Sequence, residues 1–184
     1  MNRLTPRRCV ALLLVALGTA ACSDHSALTA PVPQYSGVSG PDIEAIAQYR
    51  QGAPQFTIAW SMAWIGPEGG SVRMLDFEVV IPPGALARRT RIAIRLPVDP
   101  KSSTHAYAEF EPHGLQFAKP VTLRLPYSGT TAESAPSSVL WWSGSVWERF
   151  PTVVLPDGRI ETTTTHFSTY GTEQPGRGIT PLGG

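Results

Sequence analysis

The sequence has little cysteine, little net charge and no long hydrophobic run. Its 184 residues include 2 Cys, and 15 basic side chains nearly balance 14 acidic ones, which excludes a nucleic-acid binder driven by bulk charge. No run approaches the ~20 apolar residues of a membrane-spanning helix. The 18 Pro and 17 Gly are too many for a helical bundle, and a hydrophobic content of 42% excludes wholesale disorder.

The first 21 residues have the organisation of a secretory signal peptide. Met1–Arg8 carries three Arg and no acidic residue, Val10–Gly18 is a short apolar run, and the small residues Thr19-Ala20-Ala21 follow. A basic start, a short apolar stretch and small residues before a cleavage point are typical of an export signal. We therefore expect residues 1–21 to be removed and the remaining chain to be exported.

Cys22 follows this segment directly and, because Cys9 is removed with the signal peptide, it is left without a disulfide partner. Residues 17–22 (LGTAAC) resemble the lipobox of bacterial lipoproteins, although Thr19 stands where an aliphatic residue is usual. The resemblance implies acylation of Cys22 and anchoring to a bilayer of the cell envelope. Ser23, in place of the Asp that resembles an inner-membrane retention signal, favours the outer membrane if two membranes are present. An ordinary signal peptide with Cys22 as a free thiol is the alternative.

The segment 22–54 reads as a lipid-anchored tether, since residues 23–40 are rich in Ser, Pro, Gly and Ala with little to bury. Within it, Ile43 and Ile46 have helical spacing, so a short helix over 42–50 and a continued tether are both open. Residues 173–184 end in Gly and Pro and are expected to form a flexible tail.

Residues 55–172 alternate apolar and polar side chains with period two, which predicts short strands packed as an antiparallel β-sandwich. Turn signals such as Pro82-Pro83-Gly84 separate these strands. Whether residues 128–172 join the same sandwich or form a small separate sheet stays open. The predicted strands cover Phe77–Ile81, Arg91–Leu96, Tyr107–Glu111, Val121–Leu125, Ser138–Trp142, Val146–Phe150 and Arg159–Thr165.

An ordered series of motifs runs from Gly69 to Tyr127. It comprises residues 69–72 (GGSV), 81–86 (IPPGAL) and 111–117 (EPHGLQF), followed by 119–123 (KPVTL). This series resembles the ZU-five domain, a module of zonula occludens proteins, netrin receptors and ankyrins. The resemblance implies a β-sandwich that contacts another protein. Independently of any family, the two prolines end a strand, and Gly84 suits the positive φ of a type II turn.

The tripeptide His166-Phe167-Ser168 suggests an alternative function. In some members of the resembling family such a tripeptide cuts its own chain between Phe and Ser. That reaction requires Ser168 Oγ to attack the Phe167 carbonyl, His166 to activate the hydroxyl, and strain in the peptide bond. The structural alternative makes Phe167 a core residue of a final strand.

The tryptophans suggest where a binding face lies. Trp141 and Trp142 are adjacent on a predicted strand, so their side chains face opposite sides, and Trp147 follows the next turn. An exposed cluster of the three would bind protein or, as a weaker alternative, carbohydrate. Packing by a loop or the N-terminal segment is the competing interpretation for the second ring.

Other chemistry finds little support in the sequence. No G-x-S-x-G elbow or metal motif is present, and proximity of Ser168, His166 and Asp157 cannot be read from sequence. His105 with Glu109 and Glu111 reads as a solvated face, and residues 88–91 (RRTR) as a solvated turn. The combined expectation is an envelope lipoprotein with a protein-interaction module that uses no metal, cofactor, nucleic acid or catalytic turnover.

The intact mass of the full chain, expressed in a lipoprotein-competent bacterium, tests the anchor. We expect loss of residues 1–21 and a gain of acyl mass on Cys22. An unacylated N-terminus at residue 22 would contradict the lipobox interpretation. Release of a peptide covering residues 168–184 would instead favour the self-processing alternative.

Overall fold

Strands make up nearly all regular structure in the computed structural model, which describes residues 41–177 and 179. Residues 1–21, Cys22 and the tether as far as residue 40 lie outside this range. No helix in the described residues is long and apolar enough to cross a bilayer. The strands are β1 (Trp60–Ile65), β2 (Gly70–Met74), β3 (Phe77–Ile81), β4 (Thr90–Arg95), β5 (Tyr107–Glu111), β6 (Gln116–Pro126), β7 (Val139–Trp142), β8 (Trp147–Phe150), β9 (Val153–Val154), β10 (Arg159–His166) and β11 (Thr169–Thr172).

The strands form two antiparallel sheets packed as a sandwich, which confirms the predicted all-β fold class. One sheet has six strands in the order β1-β4-β5-β11-β7-β8, and the other has five in the order β2-β3-β6-β10-β9. Strands from the last third of the chain complete both sheets. The segment 128–172 therefore belongs to the same sandwich and forms no separate sheet.

The core lies between the sheets and follows the period-two pattern of the sequence. On β6, Val121, Leu123 and Leu125 are fully buried, while Thr122 and Arg124 face outward. Ile92 and Ile94 of β4 are fully buried in the same core cluster. Each such aliphatic side chain contributes about 1.5–3 kcal/mol through removal of apolar surface from water.

The Pro82-Pro83-Gly84 turn ends β3 as its chemistry predicts. Gly84 has a φ of 79°, and the N–H of Ala85 donates to the Pro82 carbonyl at 3.1 Å, as in a type II turn. The Gly84 N–H donates to Pro67 O at 2.8 Å. This turn directs Ala85 and Leu86 into the core, where both are buried.

Two crossings between the sheets meet at Phe167. Residues 112–115 carry the chain from β5 to β6, and residues 167–168 carry it from β10 to β11. The Phe167 N–H donates to Leu115 O at 2.9 Å, and its carbonyl accepts from Gly114 N–H at 3.0 Å. The Phe167 ring packs on Phe117 with centroids 4.7 Å apart.

The segment 41–54 differs from the predicted tether and from the predicted helix over 42–50. Only Ile43–Ala45 forms a turn of 3-10 helix, capped by the Asp42 side chain, and the chain then becomes extended. Isolated bridges join Ile46 to Glu173 and Gln48 to His105. Ile46 is fully buried because the segment hydrogen-bonds to the sandwich, with Ala47 N–H donating to Thr172 O at 2.8 Å.

The beginning of the predicted flexible tail is also held in place. Glu173 is buried, and its N–H donates to Ser138 O at 2.9 Å. Its carboxylate accepts a hydrogen bond from Arg149 Nε at 2.9 Å, and Arg177 pairs with Glu44 at 3.0 Å. Residues 173–177 therefore belong to the folded unit, and residues 178 and 180–184 lie outside the described range.

An ion-pair network crosses the outer face of the five-stranded sheet. Arg124 of β6 contacts Glu78 of β3 at 3.1 Å and Glu161 of β10 at 2.8 Å, and Arg159 reaches Glu78 at 2.7 Å. Burial alone would raise the pKa of Glu78, but hydrogen bonds from Arg159 and Arg124 outweigh it and hold the pKa below its usual value. The network links the three central strands.

Docking of the segment 41–54 predicts a large stability cost for Ile46→Ala. Removing this fully buried side chain should lower the free energy of unfolding by about 2–5 kcal/mol, measured by chemical denaturation. Ile58→Ala is the matched control, since Ile58 is exposed and its replacement should stay within about 0.5 kcal/mol of wild type. Equal effects of the two substitutions would show that the segment does not contribute to the core.

Candidate binding site

The edge strand β1 presents its large apolar side chains to solvent. Trp60, Met62 and Trp64 are 43%, 39% and 54% exposed. The alternate positions point to the core, where Ala63 packs partly buried and Ile65 is buried. The usual sheet pattern is thus inverted, with the bulky side chains outward. Singly exposed apolar residues are ordinary, but three on one strand make this surface a candidate interaction site.

Arginines of β4 lie directly opposite these residues. Trp60 pairs with Arg95, Met62 with Ala93, and Trp64 with Arg91 across the antiparallel register. We call the surface formed by Trp60, Met62, Trp64, Arg91 and Arg95 the aromatic–arginine face. Tryptophan and arginine are the residue types most enriched at the energetic centres of protein interfaces.

A further guanidinium stands over the end of this face. Arg89, in the loop before β4, places its Cζ 5.7 Å from the centroid of the Trp64 ring. This cation–π contact holds the positive charge beside the exposed indole. Within the described residues, Arg88, Arg89 and Arg91 form no ion pair with a carboxylate, whereas Arg95 contacts Glu111 at 3.0 Å.

A groove of about 680 Å³ opens at the Trp64 end of the aromatic–arginine face. Residues 88–91, interpreted from sequence as a solvated turn, form one of its walls, and the loop at Pro112 and His113 forms another. Its charge and its exposed indole suit a ligand that is both anionic and partly apolar. The lining residues are Trp64, Arg88, Arg89, Thr90, Arg91, Ala93, Glu111, Pro112, His113 and Leu115.

The tryptophan cluster expected as the binding face is covered in part. Trp147 is 4% exposed, and its Nε1–H donates to the Asp42 carbonyl at 2.8 Å. Trp142 is partly buried and packs against it, with ring centroids 5.4 Å apart. Trp141 packs against the main core. The docked N-terminal segment therefore covers Trp147, whereas Trp141 and Trp142 stay partly exposed.

The structure does not join His166 and Ser168 by a hydrogen bond. The Ser168 hydroxyl donates to the Trp142 carbonyl at 3.0 Å. Self-cleavage would have to break this hydrogen bond, because Ser168 Oγ must attack the Phe167 carbonyl. The Phe167 ring is buried in the core, and the Phe167 carbonyl accepts a hydrogen bond from Gly114 N–H. Among the residues that the structure describes, the non-glycine residues with positive φ are Leu75 and Ser134, neither of them in this tripeptide.

His166 sits among aromatic rings at the end of β10. Its ring meets Trp141 edge to face, with centroids 4.7 Å apart, and also lies near Phe150. Within the described residues, His166 Nε2 and Trp141 Nε1 are buried without a hydrogen-bond partner. Burial lowers the pKa of His166, which favours the neutral imidazole.

The remaining polar candidates serve structural contacts. Asp157 is bound to Arg159 at 2.6 Å, so the structure gives no Ser-His-Asp hydrogen-bond chain through Ser168 and His166. His105 is buried and its ring nitrogens contact Gln48 and Thr104. In the part of the chain from 41 to 177, no group of three or more His, Cys, Asp or Glu residues is arranged to hold a metal ion.

The aromatic–arginine face escaped the sequence analysis. Residues 60–65 (WSMAWI) do alternate, and their large side chains at even positions would ordinarily be assigned to the core. Only the pairing with Arg91 and Arg95 shows that this side of the strand is outside.

Comparisons with known proteins identify no family for this chain. No protein-family model matches the chain, and a search of curated proteins finds no significant relative.

The partly buried imidazole of His166 predicts a pH dependence of stability. Because the pKa of folded His166 is lowered, the unfolded chain takes up a proton first as pH falls below about 6.5. The free energy of unfolding should therefore decrease between that pH and the lower pKa of the folded state. His166→Phe should make this decrease shallower in denaturation curves between about pH 7.5 and 5. His113→Gln, at an exposed turn, is the control and should keep the wild-type slope; identical slopes for all three chains would refute the prediction.

Proposed function

We propose that this chain is a lipid-anchored protein of the bacterial cell envelope whose β-sandwich binds another protein without catalytic turnover. Acylated Cys22 would hold it to the bilayer, with the outer membrane favoured, and residues 23–40 would space the domain from the lipid. The motifs between Gly69 and Tyr127 support a ZU-five-like interaction module on this anchor. The observation that carries the proposal is the aromatic–arginine face.

The composition of that face supports binding. Trp60, Met62 and Trp64 expose apolar area on a rigid strand, so little conformational entropy is lost when a partner covers it. The antiparallel pairing with β4 fixes the positions of the side chains before binding. Arg91 and Arg89 add charge that favours an acidic partner and accelerates association.

The placement of the predicted reactive residues supports a binding function over self-processing. Ser168 Oγ is committed to the Trp142 carbonyl, and the Phe167 main chain is hydrogen-bonded to the neighbouring crossing on both sides. These contacts make His166-Phe167-Ser168 a packed crossing between the sheets.

Site-specific photocrosslinking in the bacterium that makes the chain tests the proposal. A photoreactive side chain at position 62 or 64 should give a discrete protein adduct, because these positions lie on the face. The same group at position 153 is the control, since Val153 is at least as exposed as Met62 and Trp64 but lies on β9 of the other sheet. Adducts of equal size and yield at both places, or none on the face, would contradict the proposal.

Competition makes the test quantitative. Purified wild-type chain should suppress the adduct, and the variant with both Trp60→Ala and Trp64→Ala should require at least about tenfold more protein, a loss of ~1.4 kcal/mol or more. The free energy of unfolding of that variant should stay within about 0.5 kcal/mol per exposed site. Val153→Ala should compete like wild type.

A further inference from the structure

The outer edge of β1 carries free main-chain groups at the same residues that expose large side chains. Leu96 N–H donates to Ala59 O at 2.8 Å, so residues 59, 61, 63 and 65 direct their N–H and C=O groups toward β4. The alternate residues Trp60, Met62 and Trp64 direct theirs away from it. In the described part of the chain β1 pairs only with β4, so these three residues form an open sheet edge.

The charge beside this edge is positive and unpaired. Arg89 lies over the Trp64 ring, so its guanidinium stands at the edge strand itself, not in the interior of the sheet. Arg88 and Arg91 line the adjoining groove. Arg95, at the Trp60 end, is partly neutralised by Glu111. The edge is therefore most basic at the Trp64 end.

We propose that an extended acidic peptide segment of the partner adds to β1 as a seventh strand of the six-stranded sheet. Its main chain exchanges hydrogen bonds with Trp60, Met62 and Trp64, and its apolar side chains lie along the exposed indoles. Its carboxylates pair with Arg88, Arg89 and Arg91. This inference rests on the proposed protein-binding function and assigns the class of partner and the mode of contact.

The features of the edge favour this occupant over three others. A peptide strand supplies N–H and C=O groups with the period that the edge requires, which a bilayer surface or a nucleic acid does not. A second copy pairing antiparallel through β1 would set the Trp64 end of each chain against the Trp60 end of the other, so it would satisfy the main-chain groups but bring no carboxylate to either arginine cluster. An acidic strand satisfies the hydrogen-bonding groups and the charge at once.

Selection of displayed random decapeptides on the immobilised full mature chain tests the inference. We expect peptides in which Asp or Glu alternates with β-branched or aromatic residues. Failure to select peptides, or selection without acidic enrichment, would overturn the proposal. The selected peptide is then synthesised, and its affinity is measured by fluorescence anisotropy.

Two substitutions at position 62 distinguish the contribution of the main chain to peptide binding from that of the side chain. Met62→Pro removes an outward N–H while the hydrogen bonds to β4 come from the neighbouring residues, and proline is tolerated at such edge positions. It should weaken peptide binding at least tenfold more than Met62→Ala, which removes the side chain alone. Equal affinity of the two variants would overturn strand addition.

A modified peptide keeps the test independent of how the proline variant folds. Methylation of alternate peptide nitrogens, in the register that faces β1, should abolish binding, and methylation in the other register should leave it within about threefold. Unchanged binding of both methylated peptides would overturn the proposal even if Met62→Pro does not fold.

The charge requirement has its own control. The triple variant Arg88→Ser, Arg89→Ser and Arg91→Ser should weaken binding at least tenfold, and Arg73→Ser should not, since Arg73 lies on β2 and pairs with Asp76. Three results would reassign the edge. These are arginine-dependent sedimentation with phosphatidylglycerol vesicles that survives Met62→Pro, similar binding to a DNA duplex, and a dimer in sedimentation that Met62→Pro dissociates.

The crosslinking experiment distinguishes failure of this inference from failure of the proposed function. If adducts at position 64 require Trp60 but are unaffected by Met62→Pro, the protein-binding function stands and strand addition is wrong. If no adduct forms on the face, both are wrong.

Discussion

The hydrogen bonds of the Phe167 main chain fix the positions of the two sheets relative to each other. One peptide group donates to Leu115 and the next accepts from Gly114, so the crossing from β10 to β11 is tied to the crossing from β5 to β6. The Phe167 ring fills the space between the sheets against Phe110 and Phe117. Because β11 lies between β5 and β7, this junction also determines where the last strands join the six-stranded sheet.

The N-terminal segment packs against that sheet from β5 to β8. Ile46 packs beside Gly171, where a Cβ would come within 2.6 Å of the Ile46 Cδ1 atom and 3.0 Å of the Tyr107 Cβ atom, so glycine favours this close approach. The Trp147 indole donates to the Asp42 carbonyl and is buried, and the partly buried Trp142 packs against it. Residues near the end of the predicted tether are therefore part of the folded domain, since Ile43, Ala45 and Ile46 are buried.

The aromatic–arginine face is what remains uncovered on this sheet. At the end opposite β8, the edge strand β1 has no neighbour beyond it among the described residues, and its small side chains take the inward positions. Trp60 and Trp64 stand opposite Arg95 and Arg91 in pairs where side chains approach most closely. A free edge beside exposed indoles is a hazard for uncontrolled pairing, which the flanking positive charge reduces, and such an edge is understandable if a specific partner covers it.

The local pattern by itself determined the strands near 77–81, 91–96 and 121–125 and the turn at Pro82-Pro83-Gly84, because alternation and fixed φ act within a few residues. It also predicted a buried Phe167. The local pattern did not predict which Trp side chains are exposed or that the segment 41–54 is packed, because side-chain burial there depends on residues distant in the chain. Residues 60–65 alternate, but the side with the larger apolar side chains faces solvent, so the local pattern assigns the wrong side to the core. Only the register with β4 decided which side of β1 is exposed. The hydrogen bonds that join Ala47 to Thr172 and Ala106 decided that the segment 41–54 is packed. Both depend on contacts between segments distant in the chain.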